Sequence, residues 1–282
     1  LRMRTKLIPA RFRVRNFISM MWWTLGLWSV VFGLGIGIYY YRYLLPQPAT
    51  TFTASLERFG QAGGDLVSQA GELRTAAERR DMQAARRAAE RLVNLIEGKT
   101  GTTYGDLDKS GSVEDPGDGI GLLNYLRALT KAAPEGPVAS LAETVGGWLK
   151  AIRTDALAVI AAADPGGVGG KAENLVTLAE RAEREGIARL VADAPPMIII
   201  VMDAFVFTPK QVTLRKGTAV VWINHEHEEH TVTADDKKFD SGDLSVGGIF
   251  AFTVTEAGRI PYYCDYHGGR GGVDMAGVLV VE

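Results

Sequence analysis

The hydrophobic period of this chain changes at one place, and that change sets what it can fold into. Up to residue 192, apolar side chains recur at three- and four-residue steps: Leu56, Phe59, Leu66 and Leu73; Leu92, Leu95 and Ile96; Val138, Leu141, Val145, Trp148, Leu149 and Ile152. After DAPPMIII (193–200) the pattern becomes short β-rich runs such as MIIIVMD, TAVVWIN, HTVTA, GIFAFTVTEAG and GVLVVE, punctuated by Gly, Pro and Asp. The first spacing keeps one helix face apolar, whereas side chains alternate across a strand. The chain must therefore build two kinds of core: a bundle of four or five helices over 52–192, and an antiparallel β-sandwich over 195–282 on the end of this helical stalk. Helix breaks are expected near Arg80–Asp81, across 98–118, at APEGP (133–137) and at DPGGVGG (164–170).

A third element precedes both. The first fifteen residues hold Arg2, Arg4, Lys6, Arg11, Arg13 and Arg15 and no acid, and the 26 residues from Asn16 to Tyr41 carry no charge. Such a run exceeds the roughly 20 residues that span a bilayer core. Trp22 and Trp23 at one end and Tyr39–Tyr41 and Tyr43 at the other suit the headgroup boundary. The apolar stretch is too long for a cleaved leader, and no A-x-A site follows. The reading is a basic cytoplasmic segment (1–15), a transmembrane anchor helix in contact with lipid (16–44) and a linker (45–51). That makes a single-pass protein of a bacterial plasma membrane with its later domains extracytoplasmic. Gly33 and Gly37 form a weak GxxxG pair. The fold class is multi-domain α + β: transmembrane helix, helical bundle and C-terminal Greek-key sandwich. The net charge of −2 argues against a general nucleic-acid binder.

Within the bundle, the loop YGDLDKSGSVEDPGDG (104–119) places Asp106, Asp108, Ser110, Gly111, Ser112 and Glu114 at positions 1, 3, 5, 6, 7 and 9 of an EF-hand-like loop over 106–118. These are hard oxygen donors suited to Ca²⁺. Position 12 is Gly117 in place of the bidentate Glu, with Asp115 or Asp118 as substitutes, and a metal-free acidic turn remains the alternative. An ion there would be structural.

All four histidines (His225, His227, His230 and His267) and the single cysteine, Cys264, fall in the β half. His230, Cys264, His267 and Met275 supply two imidazoles, one thiolate and one thioether. Two histidines and a cysteine with a weak axial methionine define an electron-transfer copper site. A buried structural thiol is the alternative for a lone cysteine, but not for one three residues before a histidine. His225 and His227 lie in the acidic turn NHEHEEH and read as solvated residues near the mouth; a weak second metal-capture site is the sharper alternative. Tyr262, Tyr263 and Tyr266 flank the cysteine as packing residues. No C-x-x-C-H is present, which excludes a c-type haem attachment.

The segments FTPKQVTLRKGTAVVWINHEHEEHTVTADDKKFDSG and GRIPYYCDYHGGRGGVDMAGVLVVE resemble the cupredoxin family, specifically the plastocyanin/amicyanin-like blue copper proteins, over about 197–282. Trp222, Asn224 and His230 match the family's W-x-N-x5-H, Cys264 and His267 its C-x-x-H, and Met275 its following methionine. The resemblance implies one type 1 copper held by His230, Cys264, His267 and Met275, with Asn224 and Thr231 beside the ligands and His267 as the electron port. The chain departs from the family in the seven residues GGRGGVD between His267 and Met275, and in Thr231, where plastocyanins carry an Asn. The implied activity is one-electron transfer without substrate turnover. Its partners are redox proteins: a quinol-oxidising complex on one side, and a cytochrome, terminal oxidase or photosynthetic reaction centre on the other. From Pro195 onward seven basic residues face twelve acids, so a basic docking face on the partner is expected. A fixed subunit of a larger respiratory or photosynthetic complex is the alternative, because a 140-residue bundle exceeds what a tether needs; copper delivery fits less well, since it calls for exchangeable, exposed ligands.

Overall fold

The computed structural model describes residues 54–282. The basic segment, the anchor helix (16–44) with its lipid contact and the linker lie outside the described residues. Among the described residues no helix is long and apolar enough to cross a membrane. The expected plasma-membrane location is corrected on that finding. These helices are amphipathic: each buries one Ala- and Leu-rich stripe and turns a charged face to water, so none is apolar all round.

The helices are α1 (Ala54–Glu78), α2 (Met82–Glu97), α3 (Leu122–Ala132), α4 (Pro137–Ala161), α5 (Val168–Arg181) and α6 (Ala188–Asp193), the last two joined through a π-helical stretch Ala182–Ile187. The breaks fall where the sequence placed them, and local chemistry explains two. Asp81 caps α2, its carboxylate accepting from Ala84 N–H at 3.0 Å. Pro137 opens α4 at its first turn, where a missing N–H costs nothing.

The strands are β1 (Met197–Asp203), β2 (Val206–Thr208), β3 (Gln211–Leu214), β4 (Ala219–Asn224), β5 (Thr233–Ala234), β6 (Ile249–Thr253), β7 (Gly258–Gly269) and β8 (Val273–Val281). They form two four-stranded sheets, ordered β2-β1-β4-β6 and β3-β8-β7-β5. The expected all-antiparallel sandwich is corrected: β1 runs parallel to β4 and β3 parallel to β8, while the remaining pairs are antiparallel.

The helices are not a stalk. The described residues form one compact unit, and the helical core continues into the first sheet through Met197, Ile199, Ala219, Val221 and Ile223. The alternate residues Ile198, Ile200, Met202, Val220 and Trp222 face the other way, into the sandwich core with Phe207, Phe239 and Tyr262. Strand β6 divides likewise, Ile249 and Ala251 toward the helices and Phe250 and Phe252 inward. This explains why AVVWIN is continuously apolar: a strand covered on both faces has no solvent side to keep polar. Helix α1 lies along β1, and α3 lies across β6 and β4. Among the described residues the N-terminal half of β1 has no strand on its free edge, and there Ser55 Oγ accepts the Ile199 N–H at 2.9 Å. The helix thereby covers a sheet edge that would otherwise present an unpaired donor.

Candidate metal centre

Three stretches converge at one end of the sandwich. Strand β4 ends at the fully buried Asn224, whose side-chain amide donates to Glu228 O at 2.7 Å and Leu244 O at 2.8 Å. His230 is then locked by reciprocal backbone bonds with Leu244, at 3.2 and 2.8 Å. The asparagine foreseen beside the ligands thus shapes the loop that presents His230.

The other donors come from a bulge in β7. Tyr263 pairs with Ala276 and Gly268 with Asp274, so Cys264, Asp265, Tyr266 and His267 stand opposite the single residue Met275. Glycine is required at the end of the bulge: a Cβ on Gly268 would lie 2.2 Å from Met275 O. The Gly-rich loop between His267 and Met275 folds back here as a hairpin tip, pinned by Gly271 N–H to Asp235 Oδ2 at 2.9 Å.

Cys264 Sγ lies 3.6 Å from His230 Nδ1 and 3.5 Å from His267 Nδ1, and the two nitrogens are 3.2 Å apart. A triangle of those sides has its centre about 2 Å from each atom, close to a metal–imidazole bond length. Cys264 and His230 are fully buried, and His267 is half-buried. One soft sulfur and two borderline nitrogens in a trigonal set suit copper in electron transfer. Met275 is buried in the same core as Cys264, at the residue facing the bulge. Burial pushes the His230 pKa below its ordinary value against the opposing pull of Glu226, so the ring favours the neutral form a metal ligand requires.

Around the triangle, Thr231 ties the His230 side to the cysteine stretch. Its N–H points at Cys264 Sγ at 3.3 Å, and its Oγ1 accepts Asp265 N–H at 2.8 Å. The Asp265 carboxylate in turn accepts from Thr233 Oγ1 at 2.7 Å, and that bond is the main reason its pKa is lowered. Thr231 and Thr233 stand on one face at a two-residue spacing, which stitches the cysteine stretch to the His230 side.

Sequence reasoning missed Asp265, Thr233, Phe205 and Glu226. Phe205, at positive φ in the β1–β2 turn, is 47 % exposed and sets its ring edgewise 4.8 Å from His267. Glu226 belongs to the acidic turn that read as solvated, yet its carboxylate meets His230 Nε2 at 2.7 Å. The only signal was its position four residues before the ligand. His227 is exposed, whereas His225, expected to be solvated, is half-buried with its Nε2 withdrawn from solvent. Burial lowers its pKa, with Lys99 and Asp118 of the helical region and Asp203 facing it.

In the acidic loop, Asp106 and Asp108 come together with Glu90 of α2, their oxygens within 4.8 Å of one another. Glu90 was not foreseen. It is buried and accepts the N–H groups of Leu107, Asp108 and Glu114, each at 2.9 Å. Asp106 accepts from Ser110 and Gly111 N–H, Ser110 Oγ turns to Ser112 O, and Glu114 pairs with Arg91 at 2.6 Å. Asp115 accepts Gly117 N–H and Asp118 accepts the Tyr125 hydroxyl. Protein donors thus hold the loop's shape, and of the proposed oxygen ligands only Asp106 and Asp108 lie in that cluster.

No family model matches the chain. It is similar to the chloroplastic plastocyanin of Chlamydomonas reinhardtii, 28% identical over 102 residues covering 32% of this chain and 68% of that protein. The plastocyanin of Scenedesmus fuscus is 28% identical over 90 residues, 28% of this chain and 89% of its own length. Among solved structures, an amicyanin variant in the Cu(I) state covers 30% of this chain and 82% of its own at 24% identity, TM-score 0.27. A purple cupredoxin from Nitrosopumilus maritimus covers 30% and 98% at 22% identity, TM-score 0.26. A Cu-containing nitrite reductase from Thermus scotoductus SA-01 also matches, over 22% of its length at 22% identity with a TM-score of 0.27. The β half is a sandwich of two four-stranded sheets, and the similarity to these proteins covers about a third of the chain.

Proposed function

We propose that the protein is a type 1 copper electron-transfer protein, with His230, Cys264, His267 and Met275 as the ligands. The convergence of one thiol and two imidazole Nδ1 atoms on a common centre carries this reading. A bound copper supplies reversible one-electron chemistry between its cupric and cuprous states. The chain's own residues do the rest. Cys264 and His230 keep water from two donors by burial, Thr231 N–H steadies the sulfur, and the bulge of β7 presents Cys264 and His267 together. His267, less buried and edged by the exposed Phe205 and Tyr266, is the donor nearest a partner. The protein's partners are redox proteins, with a basic docking face expected: a quinol-oxidising complex on one side, and a cytochrome, terminal oxidase or reaction centre on the other.

Copper titration of the full chain tests this. One equivalent should produce a strong thiolate-to-Cu(II) absorption band and a reversible one-electron wave, and Cys264→Ser should lose both. A wave that survives the serine sinks the proposal. A second reading, a fixed relay in a larger assembly, is favoured by the helices sharing a core with the copper sandwich. Purification of a stoichiometric complex supports that reading; recovery of the chain alone supports the carrier.

A further inference from the structure

We propose that Glu226 is the positioning residue for the ligand His230, and that through the same oxygen it fixes the exposed Phe205 beside His267. The inference rests on the copper reading for its electrochemical part and stands on geometry alone for the rest. Glu226 Oε1 receives His230 Nε2 at 2.7 Å and the Phe205 backbone N–H at 2.9 Å. The carboxylate is itself anchored, because the Glu226 N–H donates to Asn224 Oδ1 at 2.9 Å and Asn224 is buried and braced on both sides. Its side chain is only 17 % exposed, so solvent screens it weakly.

Two consequences follow from chemistry. An ionised carboxylate can only accept hydrogen bonds, so His230 must carry its proton on Nε2. That leaves the Nδ1 lone pair free, and Nδ1 is the atom facing Cys264 and His267. Glu226 thus selects the ligating tautomer and the ring orientation. Its negative charge also lies against the ligand ring, where it favours the more positive state of a bound metal and lowers the reduction potential. The bond to Phe205 adds a mechanical link. Ala204 and Phe205 both have positive φ, and this oxygen ties the turn they form to the His230 loop, where the Phe205 ring also meets His230 edgewise at 5.9 Å. The aromatic ring nearest the exposed ligand is therefore fixed by the residue that orients the buried one.

The test uses the full chain and the variants Glu226→Gln and Glu226→Ala. In metal-free wild type, ¹⁵N NMR should show His230 protonated on Nε2; an Nδ1-protonated ring overturns the proposal without any variant. Phe205 amide exchange should be protected and should speed up about tenfold in Glu226→Ala; unchanged exchange removes the link to Phe205. With copper, Glu226→Gln should keep the charge-transfer band while shifting the Cu(I)/Cu(II) affinity ratio about tenfold toward Cu(I), a potential about 59 mV higher. A potential unmoved in both variants removes the electrostatic role. Failure of the copper reading appears differently: wild type itself would give no band, while the tautomer and the Phe205 amide would still decide the positioning role.

Discussion

Ile223 is the residue at which the architecture is most exposed to test. It lies on β4, pairs in register with Val201 and Ile249, and is fully buried against the helices, away from the sandwich interior. Truncation to alanine removes three carbons, worth about 0.8 kcal/mol each in transfer, or about 2.4 kcal/mol before any cavity term. Cavity formation brings the expected loss to roughly 2–5 kcal/mol, and at this size each kcal/mol moves the midpoint by about 2–4 °C. Had the helices stood off the sheet, this side chain would face water and the change would stay within about 0.5 kcal/mol. Urea unfolding of Ile223→Ala, followed by far-UV circular dichroism for the helices and near-UV signal for the Trp222–Phe239–Tyr262 cluster, distinguishes the two. Both transitions should coincide in wild type and shift together in the variant. A shift confined to the near-UV signal, or none above about 0.5 kcal/mol, would refute the shared core.

Ser55→Ala should strand the buried Ile199 N–H and cost about 1–3 kcal/mol in urea unfolding, while Ser55→Thr, which keeps the hydroxyl, should cost less. Glu90→Ala should leave three loop N–H groups without their acceptor, lower stability by about 2 kcal/mol or more, and speed amide exchange at Leu107, Asp108 and Glu114. His225 sets a pH dependence. Its folded pKa is depressed below 6.5, so its contribution to stability is complete above that value and is lost as pH falls through the folded pKa, where the unfolded chain takes a proton first. His225→Asn should flatten the stability–pH slope of the metal-free protein below 6.5, leaving the part due to His230, which shifts in the same direction.

The helix breaks, the change of period and the donor triad could be read from the sequence because each is a local signal: a cap, a proline, a C-x-x-H. What escaped was tertiary. Nothing local in MIIIVMD or AVVWIN distinguishes a strand covered on both faces from one packed on a single face, so the helices read as a stalk when they are a third layer. Parallel pairing of β1 with β4 escaped for the same reason, since register depends on what each face meets. Glu90 lies sixteen residues before Asp106, on another element, and no spacing rule links them. Glu226 was hidden by composition: among four acidic and imidazole neighbours it read as solvated, and only the fold of the loop turns it toward His230.

The helical layer bears unequally on the donor set. His230 follows β4 and Phe205 follows β1, the two central strands of the covered sheet, whereas Cys264 and His267 belong to β7 of the other sheet. Helices α1 and α3 therefore stiffen the strands that lead to one ligand and to the exposed aromatic, and they reach the cysteine only across the sandwich core. Gly247, whose N–H donates to Asn224 O at the end of β4, lies against Thr100 of the helical region. One carboxylate oxygen joins His230, Glu226 and Phe205, while the Thr231 and Thr233 stitch to Asp265 holds the cysteine side. The helical layer thus braces the His230 side of the donor set more directly than the cysteine side.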